Sequence, residues 1–271
     1  MNFRVNTNVA ALTGYRHLLN TQTAKGNSLE RLSSGLRINR AADDMAGYAV
    51  SEYMTQLIRG MEQAEANAQD AISFLHTAEG GMNAIDEKLQ RLRQLGVQAA
   101  TETYTSQDRV KVQMEVDQLV AEIDRIASAT QFNTITMLKG GDYDVHVGHG
   151  VDETIRVRVT SVDVNALGIR GLAVTGTSNT NAENAISSLD AAISIKIKSR
   201  SDLGANEVRL ESVIDSLRIM QENQSAARSR IRDLDFAKEA MQFTKVQILE
   251  QSGLAMLAQA NAAPQNVLGL I

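Results

Sequence analysis

The chain has 271 residues, a formal net charge of −5, and 43% hydrophobic but only 4% aromatic residues, with no cysteine, no tryptophan and one proline. The negative balance speaks against a nucleic-acid surface, which needs clustered Lys and Arg, and the lack of cysteine removes disulfide and thiolate chemistry. With so few rings, Ala, Leu, Ile, Val and Met must do the packing, as they do in long helical bundles.

The first 29 residues hold no acidic side chain, and Val5, Val9, Leu12 and Leu19 keep helical spacing. This stretch has neither a continuous apolar core nor an Ala-x-Ala site, so no cleaved signal peptide is expected. No apolar run approaches the roughly 18 residues of a spanning helix. Next comes "LSSGLRINRAADDMAGYAVSE", residues 32–52. Ser33, Ser34 and Gly35 permit the chain to leave one helix. Asp43 and Asp44 are placed to cap the next one and complement its dipole. Arg37 and Arg40 are then free to pair with carboxylates of this chain or a neighbour.

From Leu57 the apolar positions step by four and three without a break: Met61, Ala64, Ala68, Ala71 and Leu75, continuing through Ala78, Met82, Ile85, Leu89 and Leu92 to Gly96. Such a heptad seam predicts one helix over 46–99, roughly 80 Å long at ~1.5 Å per residue. "TSQD" at 105–108 reads as a capping box opening a second helix, with Val112, Val116, Leu119, Ile123 and Ile126 as its seam.

"YDVHV" (143–147) and "TIRVRV" (154–159) then alternate strictly, which predicts a hairpin. Tyr143, Val145 and Val147 would face the bundle with Ile155, Val157 and Val159. Asp142, Asp144, His146 and His149 have metal-ligand chemistry, but their spacing fits no standard loop and Arg156 and Arg158 opposite would repel a cation. A solvated face with cross-strand ion pairs is the preferred reading, and no metal is expected. Residues 170–181 read as a loop of small polar residues.

"TNAE" at 180–183 reads as a second box, opening a long helix whose later seam is Leu210, Val213, Leu217, Met220, Gln224, Ala227, Ile231 and Leu234, with Gln224 as a polar register residue. Residues 251–271 carry no charge, while Val246, Leu249, Gly253, Met256 and Ala260 step by three and four and Leu268 continues the apolar tail. Gln, Asn, Ser and Pro interrupt that tail too often for membrane insertion. Both ends are expected to be largely disordered in an isolated monomer and to order on other molecules. The fold expected is mainly α: a long antiparallel helical bundle or coiled-coil rod, a small β-hairpin, and terminal helices pairing as a coiled coil. His17, His76, His146 and His149 are scattered, the bundle helices have no Glu-x-x-His pair, and no nucleophile elbow or phosphate loop is present. Neither an enzyme nor a cofactor is expected.

The N-terminal "NTNVAAL" from Asn6, the "LSSGLRINRAADDMAG" run from Leu32, "QFN" from Gln131, "RSRIRDLDFAKE" from Arg228 and "AQANAAPQNVL" from Ala258 together resemble bacterial flagellin, in order, over roughly the first 140 and last 90 residues. The large variable insert of many flagellins is absent, so the chain resembles a short form. The resemblance implies an inner helical layer from 1–33 and 236–271, a spoke at 34–45, and a rod domain from 46–180 and 181–235. It implies a filament-forming protein of the extracellular bacterial flagellum, exported through the flagellar secretion channel. Implied partners are copies of itself, the filament cap, hook-associated junction proteins, an export chaperone on the C-terminal helix, and the host Toll-like flagellin receptor. The receptor motif, "Q-R-x-R-x-L" with a downstream Glu, maps onto Gln90, Arg91, Arg93, Leu95 and Glu115; Gln94 and Gly96 depart from the commoner Glu and Ala. Arg91 and Leu95, four apart, would share a helix face off the seam. The alternative within the family is a hook–filament junction protein, which usually carries a proline before its Asp-Asp core; this chain has none there.

Overall fold

The computed structural model describes residues 7–268, and the side chains of residues 7–262. The fold is mainly α. Its elements are α1 (Val9–Ser34), α2 (Met45–Ala100), α3 (Ser106–Ala129), β1 (Gln131–Phe132), β2 (Ile135–Thr136), β3 (Gly141–His146), β4 (Thr154–Val159), α4 (Thr180–Arg232) and α5 (Phe236–Leu268). They form two compact units. One runs from Arg59 to Gln221; the other holds α1, α5 and the ends of α2 and α4 beyond those residues.

In the bundle unit the α2 seam is buried from Met61 to Ala99, with Met82, Ile85, Leu89 and Leu92 fully closed off. The Thr105–Asp108 capping box forms as its sequence predicts. The Thr180–Glu183 box expected on α4 does not form: Thr180 is already helical, Glu183 N donates to Asn179 O at 3.0 Å, and Asn179 donates from Nδ2 to Glu183 Oε1 at 2.8 Å. The α4 seam also turns: Leu210, Ile214 and Leu217 are buried while Met220 is exposed. At ~100° per residue Met220 lies about 80° round from Leu210, whereas Gln221 lies about 20° away and faces inward. Gln221 Nε2 is buried without a partner.

The strands follow the expected alternation. β3 and β4 pair antiparallel with Asp142 opposite Arg158, Asp144 opposite Arg156 and Tyr143 opposite Val157. Two features had no prior signal in hydrophobic periodicity. β1 and β2 form a tight hairpin whose turn residues Asn133 (φ 46°) and Thr134 (φ 68°) are both left-handed. The stretch 160–179 has buried Val162, Val164, Leu167, Ile169, Leu172 and Val174, so its latter part is not the solvated polar loop the composition implies. Gln113 pins it to α3, donating to Leu172 O at 2.8 Å and accepting from Val174 N at 2.7 Å. Arg109, only 3% exposed, donates from Nε to Ala99 O at 2.9 Å and from Nη1 to Gly176 O at 3.2 Å. It thereby caps the carboxyl end of α2, where the helix dipole favours a cation.

In the second unit α1 and α5 pack antiparallel: Asn8 Nδ2 reaches Ala260 O at 2.7 Å, Lys25 meets Glu250 at 2.7 Å, and Gly35 lies beside Phe236. The described parts of both ends are thus helical, against the expectation of disorder, because each covers the other's seam. That seam is narrow. Its positions are Ala11, Gly14, Leu18, Thr21 and Ser28 on α1, and Phe243, Val246, Gly253, Leu257 and Ala260 on α5. At Gly14 and Gly253 an added Cβ would lie 3.5 Å from Leu257 Cδ1 and 3.6 Å from Leu18 Cδ1.

Candidate functional site

Two surfaces carry the residues singled out by sequence. The first is the outside of the α1–α5 pair. Val9 and Leu12 are 61% exposed and Leu19 44%, while Leu249 is 50% and Met256 65% exposed. The predicted C-terminal stripe therefore splits. Val246 is buried and Ala260 half-buried against α1, whereas Leu249 and Met256 face away. Leu249 lies about 60° and Met256 about 80° round from Val246, past the edge of the seam. Met241, Ile248 and Leu254 are also exposed, Leu254 on the opposite flank of α5 from Leu249 and Met256. Val5 lies outside the described residues, as does the side chain of Leu268.

Adjoining this pair is the charged segment 35–44. Gly35 ends α1 in the left-handed conformation, φ 70°, with its N–H on Arg31 O. The chain then pairs with the segment between α4 and α5: Arg37 N donates to Arg232 O at 2.7 Å and Leu234 N to Gly35 O at 3.0 Å. Asp44 caps α2 as expected, accepting from Gly47 N at 2.9 Å. Asp43 does something else. Its Oδ2 accepts from Arg40 N at 3.0 Å and Asn39 N at 3.1 Å, closing the turn before the helix. Those backbone donors, Arg40's first, hold its carboxyl below the ordinary value, aided by the charges of Arg31 and Arg40. Arg40 makes a forked contact with Glu30, both bonds at 3.0 Å. Arg37 reaches Ile231 O and lies 4.0 Å from Asp44. Ile38, fully buried, went unnoticed in sequence because a lone apolar residue in a polar run has no period.

The second surface lies in the bundle unit. Gln90, Arg91, Arg93 and Glu115 are exposed. Arg91 bonds Glu115 at 2.8 Å across the α2–α3 junction, and Arg93 bonds Asp190 of α4 at 2.7 Å. That hydrogen bond raises the Arg93 pKa, with the charge of Asp190 adding to it. Leu95 does not belong to this surface. It is 1% exposed and part of the core, because Leu95 and Gly96 straddle the seam about 60° and 40° from the Leu92 line. The buried face is wide at this point, since Leu92, Gly96 and Ala99 are buried beside Leu95. Asp190 was missed because nothing in sequence links it to Arg93.

On the hairpin, Arg158 holds Asp142 at 2.7 Å and Arg156 holds Asp144 at 2.9 Å. Among the described residues no group of three or more His, Cys, Asp or Glu is arranged to hold a metal ion. Nor is any described helix long and apolar enough to cross a membrane.

The bacterial flagellin N-terminal helical region matches residues 5–142, and the bacterial flagellin C-terminal helical region matches residues 181–271. The chain belongs to the bacterial flagellin family. It is 46% identical to the flagellar filament 33 kDa core protein of Treponema phagedenis, over 98% of this chain and 99% of that one. It is 44% identical to a flagellin of Halalkalibacterium halodurans over the same shares. A putative flagellar hook-associated protein of Vibrio parahaemolyticus has a solved structure covering 70% of this chain and all of its own, with TM-score 0.61 and 13% identity. That last likeness shows the fold alone, so the junction-protein alternative is not favoured. The family is one of structural filament proteins, not of enzymes.

Proposed function

We propose that the chain is the polymerising subunit of an extracellular flagellar filament serving motility, and that it assembles through the outward faces of α1 and α5. The observation that carries this is where the large apolar side chains lie. The seam joining the two helices holds Leu18, Phe243, Val246 and Leu257 among small residues, while Val9, Leu12, Leu249 and Met256 stay in solvent. A face of that kind is a partner surface, and heterologous contacts between copies build an open helical polymer. Segment 34–45 is the spoke between inner and outer layers. Export through the flagellar channel, a chaperone on α5, and contacts with cap and junction proteins belong to the same reading. Deleting residues 251–271 tests it. The truncated chain should remain soluble and helical with a cooperative melt, and form no filaments by negative-stain microscopy. Filaments of normal length would sink the proposal.

A second reading concerns the host Toll-like flagellin receptor. The exposed group Gln90, Arg91, Arg93 and Glu115, without Leu95, is its proposed contact. The supporting observation is that the Arg91–Glu115 and Arg93–Asp190 pairs lie exposed on adjoining helices. Arg91→Ala or Glu115→Ala should weaken receptor signalling by monomer while helix content is unchanged. Wild-type signalling by both variants would refute the mapping.

A further inference from the structure

Four ion pairs and one histidine–carboxylate hydrogen bond join α2 to α4 within the bundle unit. Glu65 meets Arg218 at 2.8 Å, His76 meets Glu207 at 2.7 Å and Glu79 meets Arg200 at 2.7 Å. Asp86 meets Lys196 at 2.9 Å and Arg93 meets Asp190 at 2.7 Å. Numbers rise along α2 as they fall along α4, so the helices run antiparallel and the pairs form a ladder.

The apolar seams by themselves do not specify this alignment. On α4 the buried positions Ala182, Leu189, Lys196, Leu203, Leu210 and Leu217 recur every seven residues; on α2 Ala68, Leu75, Met82 and Leu89 do the same. Sliding α4 by one heptad, about 10 Å, would therefore set seam on seam again. The charges would match only in part. If each α2 residue took the partner seven places lower, Glu65 would face Glu211, His76 would face Arg200, and Asp86 would face Leu189. Lys196 would then find Glu79, and Arg93 would find Glu183. If each took the partner seven places higher, Glu79 would face Glu207, Asp86 would face Leu203, and Lys196 would face Arg93. Lys196 weighs most. Its side chain is only 4% exposed, and a buried ammonium without its carboxylate is strongly unfavourable.

We propose that this ladder, centred on Asp86–Lys196, is a register code: it holds α4 at one axial position on α2 and excludes the two heptad slips that the apolar pattern permits. Exposed ion pairs contribute little stability singly. Their consequence here is selection among alignments that the heptad period permits, beside the anchors that Gln113 and Arg109 place on 172–176.

The chain has no cysteine, so disulfides can report the alignment directly. A Cβ at Gly96 would lie 3.1 Å from Ile186 Cγ1, so Gly96→Cys with Ile186→Cys reports the native register. Gly96→Cys with Asn179→Cys, or with Ile193→Cys, reports the two slips. In dilute monomer the parent chain should oxidise intramolecularly only in the 96–186 combination. With Glu79→Gln, Asp86→Leu, Arg93→Gln and Lys196→Leu together, one of the slipped combinations should also close, at a tenth or more of the native yield. Closure only at 96–186 in that neutralised chain would overturn the proposal, as would slipped closure in the parent. Should the neutralised chain lose its helicity, a charge swap decides. Lys196→Asp should lower the melting temperature, and adding Asp86→Lys should restore it together with native-only closure. A swap that melts no higher than Lys196→Asp alone would equally overturn the code.

Discussion

The bundle unit and the α1–α5 unit use the same helix chemistry to opposite ends. In the bundle, Ile85, Leu89 and Leu92 face inward and are fully buried, and the outer faces carry ion pairs. In the terminal pair, Leu18 and Val246 are the buried large residues, half-buried Phe243 and Leu257 and small residues fill the rest of the seam, and Leu12, Leu249 and Met256 face solvent. The bundle builds a continuous core of large side chains, although Met114, Ile197 and Val208 stay exposed; the pair remains open. A helix face thus reveals its partner by where its large side chains point rather than by how apolar it is.

The sharpest break in this comparison is a matched truncation in each unit. Leu92→Ala, at a position with no exposure, should destabilise the bundle by about 2–5 kcal/mol through lost transfer energy and a residual cavity. Leu12→Ala, at 61% exposure, should change the melt by no more than about 0.5 kcal/mol. Filament assembly should rank them the other way when both are compared below their melting temperatures. Equal melting losses would mean that Leu12 is covered within the monomer.

A smaller effect contrasts two adjacent glycines of α2. At Gly81 a Cβ would come within 2.7 Å of Thr130 Oγ1 and 2.8 Å of Leu138 Cδ1; at Gly80 nothing lies within 4 Å. Gly80→Ala should therefore stabilise the bundle by about 0.5–1 kcal/mol through helix propensity, while Gly81→Ala should destabilise it. Thermal melts of the two variants would show opposite signs. If Gly80→Ala melts higher yet impairs assembly, another copy approaches that open glycine closely.

Smaller again is the stability carried by the proposed receptor face. Arg91 and Glu115 are 49% and 45% exposed in their side chains, so Arg91→Ala should alter the bundle's unfolding free energy by at most ~1 kcal/mol. A larger loss in urea melts would show that this pair supports the bundle and is not chiefly a binding surface.

Much of the fold is legible in the heptad steps: the three bundle helices and the Thr105 box follow from period and capping chemistry, and the β3–β4 register follows from strict alternation. What failed did so where period alone decides between neighbours. Met220, Leu249 and Met256 were assigned by a four-and-three step on helices that turn every 3.6 residues, each error a rotation of 60–80° or so, whereas Leu95 came from the receptor motif and lies about 60° from Leu92. The β1–β2 turn was missed because two left-handed residues, Asn133 and Thr134, stand in place of the usual Asn-Gly. Asp190 and Ile38 depend on long-range packing that no local pattern encodes. Asp43 was expected to cap a helix and instead closes a turn, because Asp44 already occupies the capping position.

The smallest effect separates two carboxylates, one from each unit. Asp142 and Asp43 both titrate below the ordinary aspartate value of 3.8, so each folded state binds fewer protons than the unfolded chain as pH passes through that value. Stability from both is therefore present above about pH 4 and is lost as pH falls through the lower folded values. The causes differ. Asp142 is held chiefly by its hydrogen bond to Arg158, then by the charges of Arg158 and Arg156, and the Arg158 side chain is 68% exposed. Asp43 is held first by the Arg40 backbone N–H, a donor that no counterion displaces while the turn remains folded. At 1 M salt the screening length shrinks to about 3 Å. Carboxyl titrations followed by NMR should then show the Asp142 value rising toward 3.8 with added salt, while Asp43 stays depressed. If both rise together, the Asp43 turn is held by Arg31 and Arg40 as charges, and segment 35–44 would loosen in brine. If neither moves, the hairpin pairs are shielded from solvent more fully than their exposure implies.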